Sequence, residues 1–90
     1  MEIVTEGQAK ICAYSGKLSK SMPVFYNPEM EKQRNLTVCA LSVFQKAAGK
    51  QLVVCDPLAG SGVRGIRIKK EVEGIEKVFF NDVTKTHTHL

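Results

Sequence analysis

Tryptophan is absent from this 90-residue sequence, and cysteine and proline occur only three times each. Cys12, Cys39 and Cys55 are odd in number, widely spaced and form no C-x-x-C, which argues against a disulfide framework and a zinc knuckle and points to a reducing compartment. Long apolar runs are missing too. Apolar runs such as Leu52–Cys55 and Val78–Phe80 fall far short of the roughly 20 residues that span a bilayer, so no membrane partner is expected. The N-terminus lacks the basic and apolar regions of a secretory signal, and the expected location is cytoplasmic. Charge of one sign does not dominate: 13 Lys and Arg against 9 Asp and Glu give a net +4, dispersed along the chain, which only slightly favours a polyanionic partner. A chain this short buries only about 60% of its unfolded surface, which excludes a barrel, two domains or a complete doubly wound sheet. With 43% hydrophobic residues it reads as one globular α/β unit, with part of its architecture missing.

Three stretches follow different patterns. Residues 1–26 read as a small β-hairpin and a loop: β-compatible runs at Ile3–Thr5 and Ile11–Tyr14 flank Gly7, which takes the positive φ of a tight turn. Residues 27–49 read as a helix. Asn27 caps it, Pro28 occupies the first helical position, Glu29 and Glu31 suit the positive end of the dipole, and Gly49 ends it. Leu36, Ala40, Val43, Phe44 and Ala47 recur on one face, which is expected to be the buried one. Residues 50–90 read as a strand–helix–strand unit. Gln51–Cys55 has the continuous apolar character of a strand buried on both faces, Val63–Val72 is a short helix, and Lys77–Asn81 a second strand. A further helix is expected to begin near Thr84.

The loop between the first strand and the short helix, Asp56-Pro57-Leu58-Ala59-Gly60-Ser61-Gly62-Val63-Arg64-Gly65, contains G-x-G-x-x-G. Glycines there permit a tight turn and let a ligand approach the backbone, so Gly60 and Gly62 are candidate cofactor contacts. Asp82, 20 positions after Gly62 at the end of the next strand, is placed to accept hydrogen bonds from ribose hydroxyls. In a dinucleotide fold the first glycine follows the strand directly. Here Asp56 precedes it by four positions, and a carboxylate at the strand end repels a diphosphate but suits an amino or sulfonium group. The pattern leaves NAD and S-adenosylmethionine open and favours the second.

Beside this loop stands a second block, Val24-Phe25-Tyr26-Asn27-Pro28-Glu29-Met30-Glu31 followed by Arg34-Asn35-Leu36-Thr37-Val38, and an opening Glu2-Ile3-Val4-Thr5-Glu6-Gly7. Together with Gly62-Val63-Arg64-Gly65-Ile66-Arg67 and Asn81-Asp82, these resemble the archaeal and eukaryotic tRNA guanine-26 dimethyltransferases over nearly all of Met1 to Asp82. Asn35 stands where that family usually has Asp, and Gly60 where its loop often has Ser or Ala. The resemblance implies the N-terminal part of a Rossmann-like class I methyltransferase fold, with S-adenosylmethionine as cofactor, tRNA as partner and successive methylation of the exocyclic amino group of guanine 26. It also implies a cofactor-binding role for Arg34. The segment that holds the target amino group in that family does not occur here, so catalytic residues are expected beyond Leu90, in a longer enzyme of which this chain is an N-terminal fragment, inactive alone. A location in nucleus or mitochondrion accompanies the resemblance if the source is eukaryotic. The rivals are a DNA or rRNA amino-methylase and a binding module without chemistry.

Arg64 is a candidate for the donor's carboxylate, which a guanidinium grips by two parallel hydrogen bonds, and Arg34 is expected to converge on the same group. Asp56 is the candidate for the amino group. His87 and His89 lack a third ligand in ordered sequence, so no metal is expected. Cys55 has no basic neighbour and reads as a small apolar residue rather than a nucleophile. No obligate protein partner is evident from the sequence.

Overall fold

The computed structural model describes residues 2–15, 25–57, 59–81 and 86–89. Strands β1 (Glu2–Glu6) and β2 (Ala9–Ser15) form an antiparallel hairpin that pairs Glu2 with Ala13 and Glu6 with Ala9. Gly7 makes the turn at φ 56°, and β3 (Phe25–Tyr26) lies parallel to the end of β2. The hairpin expected from the sequence is therefore present.

Asn27 begins the next segment with extended backbone, and its side-chain oxygen accepts the Glu29 N–H at 3.0 Å. A single 3₁₀ turn, Pro28–Met30, leads into α1 (Glu31–Ala48), which Gly49 closes in the left-handed conformation, donating its N–H to Gln45 O. These are the start and stop signals of the sequence acting as expected. The buried face of α1 is different from the one expected. Leu36, Val43 and Phe44 are 60 to 70% exposed, while Arg34, Thr37, Val38 and Leu41 turn inward. The periodicity counted apolar residues alone, but the inward stripe includes Arg34 and Thr37, whose polar partners come from other elements.

Strand β4 (Leu52–Asp56), helix α2 (Val63–Glu71) and strand β5 (Ile75–Asn81) complete a βαβ unit, with β4 and β5 parallel in the register Val54 to Val78 and Asp56 to Phe80. Both helices pack on one face of this sheet. Ile68, Val72, Ile75 and Val78 form its core, with Val38, Leu41, Leu52, Val54 and Phe80 against them. Val53 (57% exposed), Cys55 and Phe79 lie on the other face, so β4 is covered on one side only, not on both. Thr86–His89 also departs from expectation: it is strand β6, antiparallel to β5, and not a helix. Alternating threonine and histidine are poor helix formers, and the free edge of β5 offers unpaired backbone groups.

Helix α2 sits between two cores. Its Val63 and Ile66 meet the hairpin and Tyr26, while Ile68 joins the sheet. Gly65 lets α2 lie directly on β5, since a Cβ there would overlap the ring of Phe80. The strand end, the glycine loop and both helices thereby meet at one corner.

Candidate functional site

That corner holds a pocket of about 210 Å³. Arg34 and Asn27 come to it from the start of α1, Asp56 from the end of β4, Gly60 from the loop, and Arg64 from the first turn of α2. Ala59 N–H donates to Asn81 O at 2.8 Å and the Asn81 amide to Pro57 O at 3.4 Å, which ties the loop to the end of β5. Gly60 and Gly62 take φ 55° and 83°, conformations that favour glycine, and a Cβ at Gly60 would meet nothing within 4 Å.

Four of the six expected cofactor residues, Arg34, Asp56, Gly60 and Arg64, thus line one cavity although the sequence separates them by up to 30 positions. Gly62 is not in the lining; it caps α2, and its carbonyl accepts the Ile66 N–H. Asp82 lies outside the described residues. So do the side chains of His87 and His89; among the described residues no three His, Cys, Asp or Glu cluster in a way that would hold a metal.

Arg34 is 4% exposed, far from a solvated helix arginine. It donates through Nε and Nη2 to the two oxygens of Glu6 at 2.8 and 2.6 Å, and through Nη2 to Asn27 O at 2.8 Å. Its guanidinium carbon lies 5.0 Å from the centre of the Tyr26 ring. Glu6 is itself filled. Tyr26 OH donates to Oε1 at 2.6 Å and Arg67 Nη1 to Oε2 at 3.0 Å, so the carboxylate accepts four hydrogen bonds in all. Arg67 then pairs with Glu71 through Nε and Nη2 at 2.8 and 3.0 Å. Asn35 accepts from Arg67 Nη1 at 2.6 Å, so its amide carbonyl does here what a carboxylate oxygen would do.

The protonation states follow. Burial pushes the Glu6 carboxyl up, but hydrogen bonds from Arg34, Tyr26 and Arg67 outweigh it and bring it down to about 2. The bond to Glu6 raises Arg34 despite burial, and the bond to Glu71 does the same for Arg67. Glu71 is lowered chiefly by Arg67, and Tyr26 is raised by burial and by the Glu6 carboxylate. The Glu6 and Glu71 carboxylates and the Arg34 and Arg67 guanidiniums therefore balance one another, and Asp56 and Arg64 are the further charged side chains among the described residues that line the pocket.

Arg64 donates through Nη1 to Thr37 Oγ1 at 2.6 Å, which holds it against α1, and among the described residues its Nε and Nη2 make no hydrogen bond. Sequence reasoning missed Glu6 as a member of this site and treated Asn27 as a cap alone. Glu6 is 28 positions from Arg34 and 61 from Arg67, and no spacing rule links such distances.

A family profile described as N2,N2-dimethylguanosine tRNA methyltransferase matches residues 2–89. The chain is 42% identical over 87 residues to a tRNA (guanine(26)-N(2))-dimethyltransferase of Methanobrevibacter smithii, covering 96% of this chain and 22% of the relative. It is 45% identical over 84 residues to the protein of the same name from Methanothermobacter thermautotrophicus, covering 92% and 22%. A tRNA (guanine(26)-N(2)/guanine(27)-N(2))-dimethyltransferase of Aquifex aeolicus is 44% identical over 86 residues, with 93% and 22% covered. The chain thus spans about a fifth of the length of these curated relatives.

Proposed function

Because the chain belongs to the N2,N2-dimethylguanosine tRNA methyltransferase family, we propose that its pocket binds the amino-acid end of S-adenosylmethionine, and that the enzyme so equipped methylates the exocyclic amino group of guanine 26 in tRNA, once and then again. The fold proposed is the Rossmann-like class I type, of which β4, α2 and β5 are the first cofactor-binding unit and the hairpin with α1 a lid on its helix side. Tyr26, Asn27, Arg34 and the glycine loop all fall within the matched residues, but the chain's small share of its relatives makes substrate, activity and tRNA partner part of the proposal.

The observation that carries the reading is the pairing of Asp56 and Arg64 in one pocket with Arg34. An amino acid at neutral pH carries an ammonium and a carboxylate, and this donor set presents one acceptor and one forked cation to match them. Asp56, 8% exposed at the strand end, is the ammonium acceptor. Arg64 keeps Nε and Nη2 for the carboxylate, and Gly60 leaves room for the ligand to run along the loop. The pocket is smaller than the roughly 300–1,000 Å³ of a full ligand site, so it takes the amino-acid end, with the ribose proposed to lie toward Asp82. The donor supplies an electrophilic methyl group on sulfonium sulfur; these residues bind and orient, and none described here touches the target amine. Dinucleotides are disfavoured by Asp56, whose charge opposes a diphosphate. The test is transfer of labelled methyl from S-adenosylmethionine to tRNA by the enzyme containing this chain, with guanine 26 replaced by adenine as control. Label on the control transcript would overturn the nucleotide assignment.

A further inference from the structure

Arg34 poses a geometric problem for the reading above, on which this inference rests. Its Nε–Nη2 edge, the edge that grips a carboxylate by two parallel bonds, is closed on Glu6. It therefore does not grip a ligand carboxylate in the forked manner of Arg64, and its charge is already matched. Among the described residues, Nη1 of Arg34 has no hydrogen-bond partner, yet Arg34 lines the pocket.

We propose that Glu6, at the hairpin turn and outside the pocket lining, is a positioning residue for ligand binding: it fixes the rotation of the Arg34 guanidinium so that Nη1 is the one donor offered to the ligand. The geometry suits that role. Both Glu6 oxygens and the Asn27 carbonyl hold Arg34 at three points, the Tyr26 ring lies against its guanidinium, and a planar group so held has no free rotation left. Glu6 is held in turn. Tyr26 OH fixes Oε1, Arg67 fixes Oε2, and the next residues of the turn dock on α2, where Gln8 N–H donates to Glu71 Oε2 at 2.9 Å. Gly7 permits this approach, because a Cβ there would overlap Glu71 Oε2 and Arg67 Nε. The hairpin, none of whose described residues lines the pocket, thus sets one of its donors. Neutralising Arg34 has a second consequence. Among the described residues that line the pocket, Arg64 is left as the net cation for a ligand carboxylate, which separates an orienting donor from a charge-bearing one.

The two partners of Glu6 make the idea separable from a purely structural role, since Arg34 lines the pocket and Arg67 does not. The experiment measures S-adenosylmethionine affinity by calorimetry for the unaltered chain, for Glu6→Gln, and for Glu6→Gln placed in Arg34→Met and in Arg67→Met backgrounds. In the same samples, nitrogen-15 NMR reads the Nε–Hε and Nη signals of Arg34. Glu6→Gln turns one acceptor into a donor facing a guanidinium, and affinity is expected to fall roughly tenfold, by analogy with the low end of the loss caused by removing a group that orients a metal ligand. The Arg34 Nη signals, separate and slowly exchanging in the unaltered chain, are expected to merge. The tenfold loss should vanish in the Arg34→Met background and persist in the Arg67→Met background. A loss that persists undiminished without Arg34, or no loss at all, overturns the proposal. Should Glu6→Gln fail to fold, Tyr26→Phe removes one bond to Glu6 and should move both readouts in the same direction, by less; no movement overturns the proposal. If the unaltered chain does not bind the donor, the ligand reading itself fails. In that case the Arg34 signals alone decide whether Glu6 fixes the guanidinium, and signals unchanged by Glu6→Gln overturn that too.

Discussion

Nη2 of Arg34 lies 2.6 Å from Oε1 of Glu6, in a pair whose side chains are 5% and 1% exposed. A buried ion pair offers little net stability over a well-packed apolar pair, but removing one partner leaves the other charged in a dry place. Arg34→Ala is therefore expected to destabilise the chain by about 3 to 5 kcal/mol. Urea unfolding followed by circular dichroism measures it. A loss below about 1 kcal/mol, the range of an exposed pair, would contradict the buried geometry.

The pH dependence of stability has a definite sign. Glu6 titrates at about 2 in the folded chain against an ordinary value of 4.5, so the unfolded state takes up the proton first as pH falls. Its contribution is fully present above pH 4.5 and is lost as pH falls toward 2, a change of about 3 kcal/mol. Urea midpoints at pH 7, 4.5, 3 and 2.5 should fall progressively below 4.5. Glu6→Gln should flatten this dependence, leaving the lesser part carried by Glu71, whose carboxyl is also lowered. An equal slope in both chains would remove Glu6 from the account.

Gly65→Ala places a methyl group on the Phe80 ring, where helix and strand meet most closely. Overpacking of this kind costs about 1 to 3 kcal/mol, and here it also shifts the first turn of α2, which carries Arg64. Both the unfolding midpoint and donor affinity should fall. Unchanged stability would mean that α2 does not lie against β5 as described.

On the outer side of α1, Leu36, Val43 and Phe44 form an exposed apolar stripe, and Val53 and Phe79 expose the uncovered face of the sheet. The chain alone is expected to self-associate through these surfaces. Sedimentation velocity should show mass increasing with concentration, and Phe44→Glu should reduce it without loss of helix content. A strictly monomeric unaltered chain with a cooperative thermal transition would contradict this.

The elements with local signals were legible in the sequence. Asn27 and Pro28 open a helix, Gly49 closes it, Gly7 turns a hairpin, and Gly60 and Gly62 mark a strand-to-helix loop, all because the cause lies within a few residues. What escaped depended on distant partners. The stripe through Leu36 and Phe44 is a sound apolar periodicity, but the competing stripe through Arg34 and Val38 wins because Glu6 and the sheet core lie on that side. Leu52–Cys55 reads as buried on both faces because an apolar run does not reveal how many faces are covered. The pocket residues Arg34, Asp56, Gly60 and Arg64 came from motif and resemblance; the Glu6 cluster that holds Arg34 left no mark in spacing.

The central claim, that this pocket takes the amino-acid end of S-adenosylmethionine, is tested most directly by adding the donor to the nitrogen-15-labelled chain and mapping the amides that shift. The account predicts saturable shifts concentrated at Gly60, Ser61 and Arg64, with the outer face of α1 unmoved, and a loss of those shifts in Asp56→Asn and Arg64→Lys chains that remain folded. Saturable shifts confined to other surfaces, or equal shifts from NAD, would contradict it.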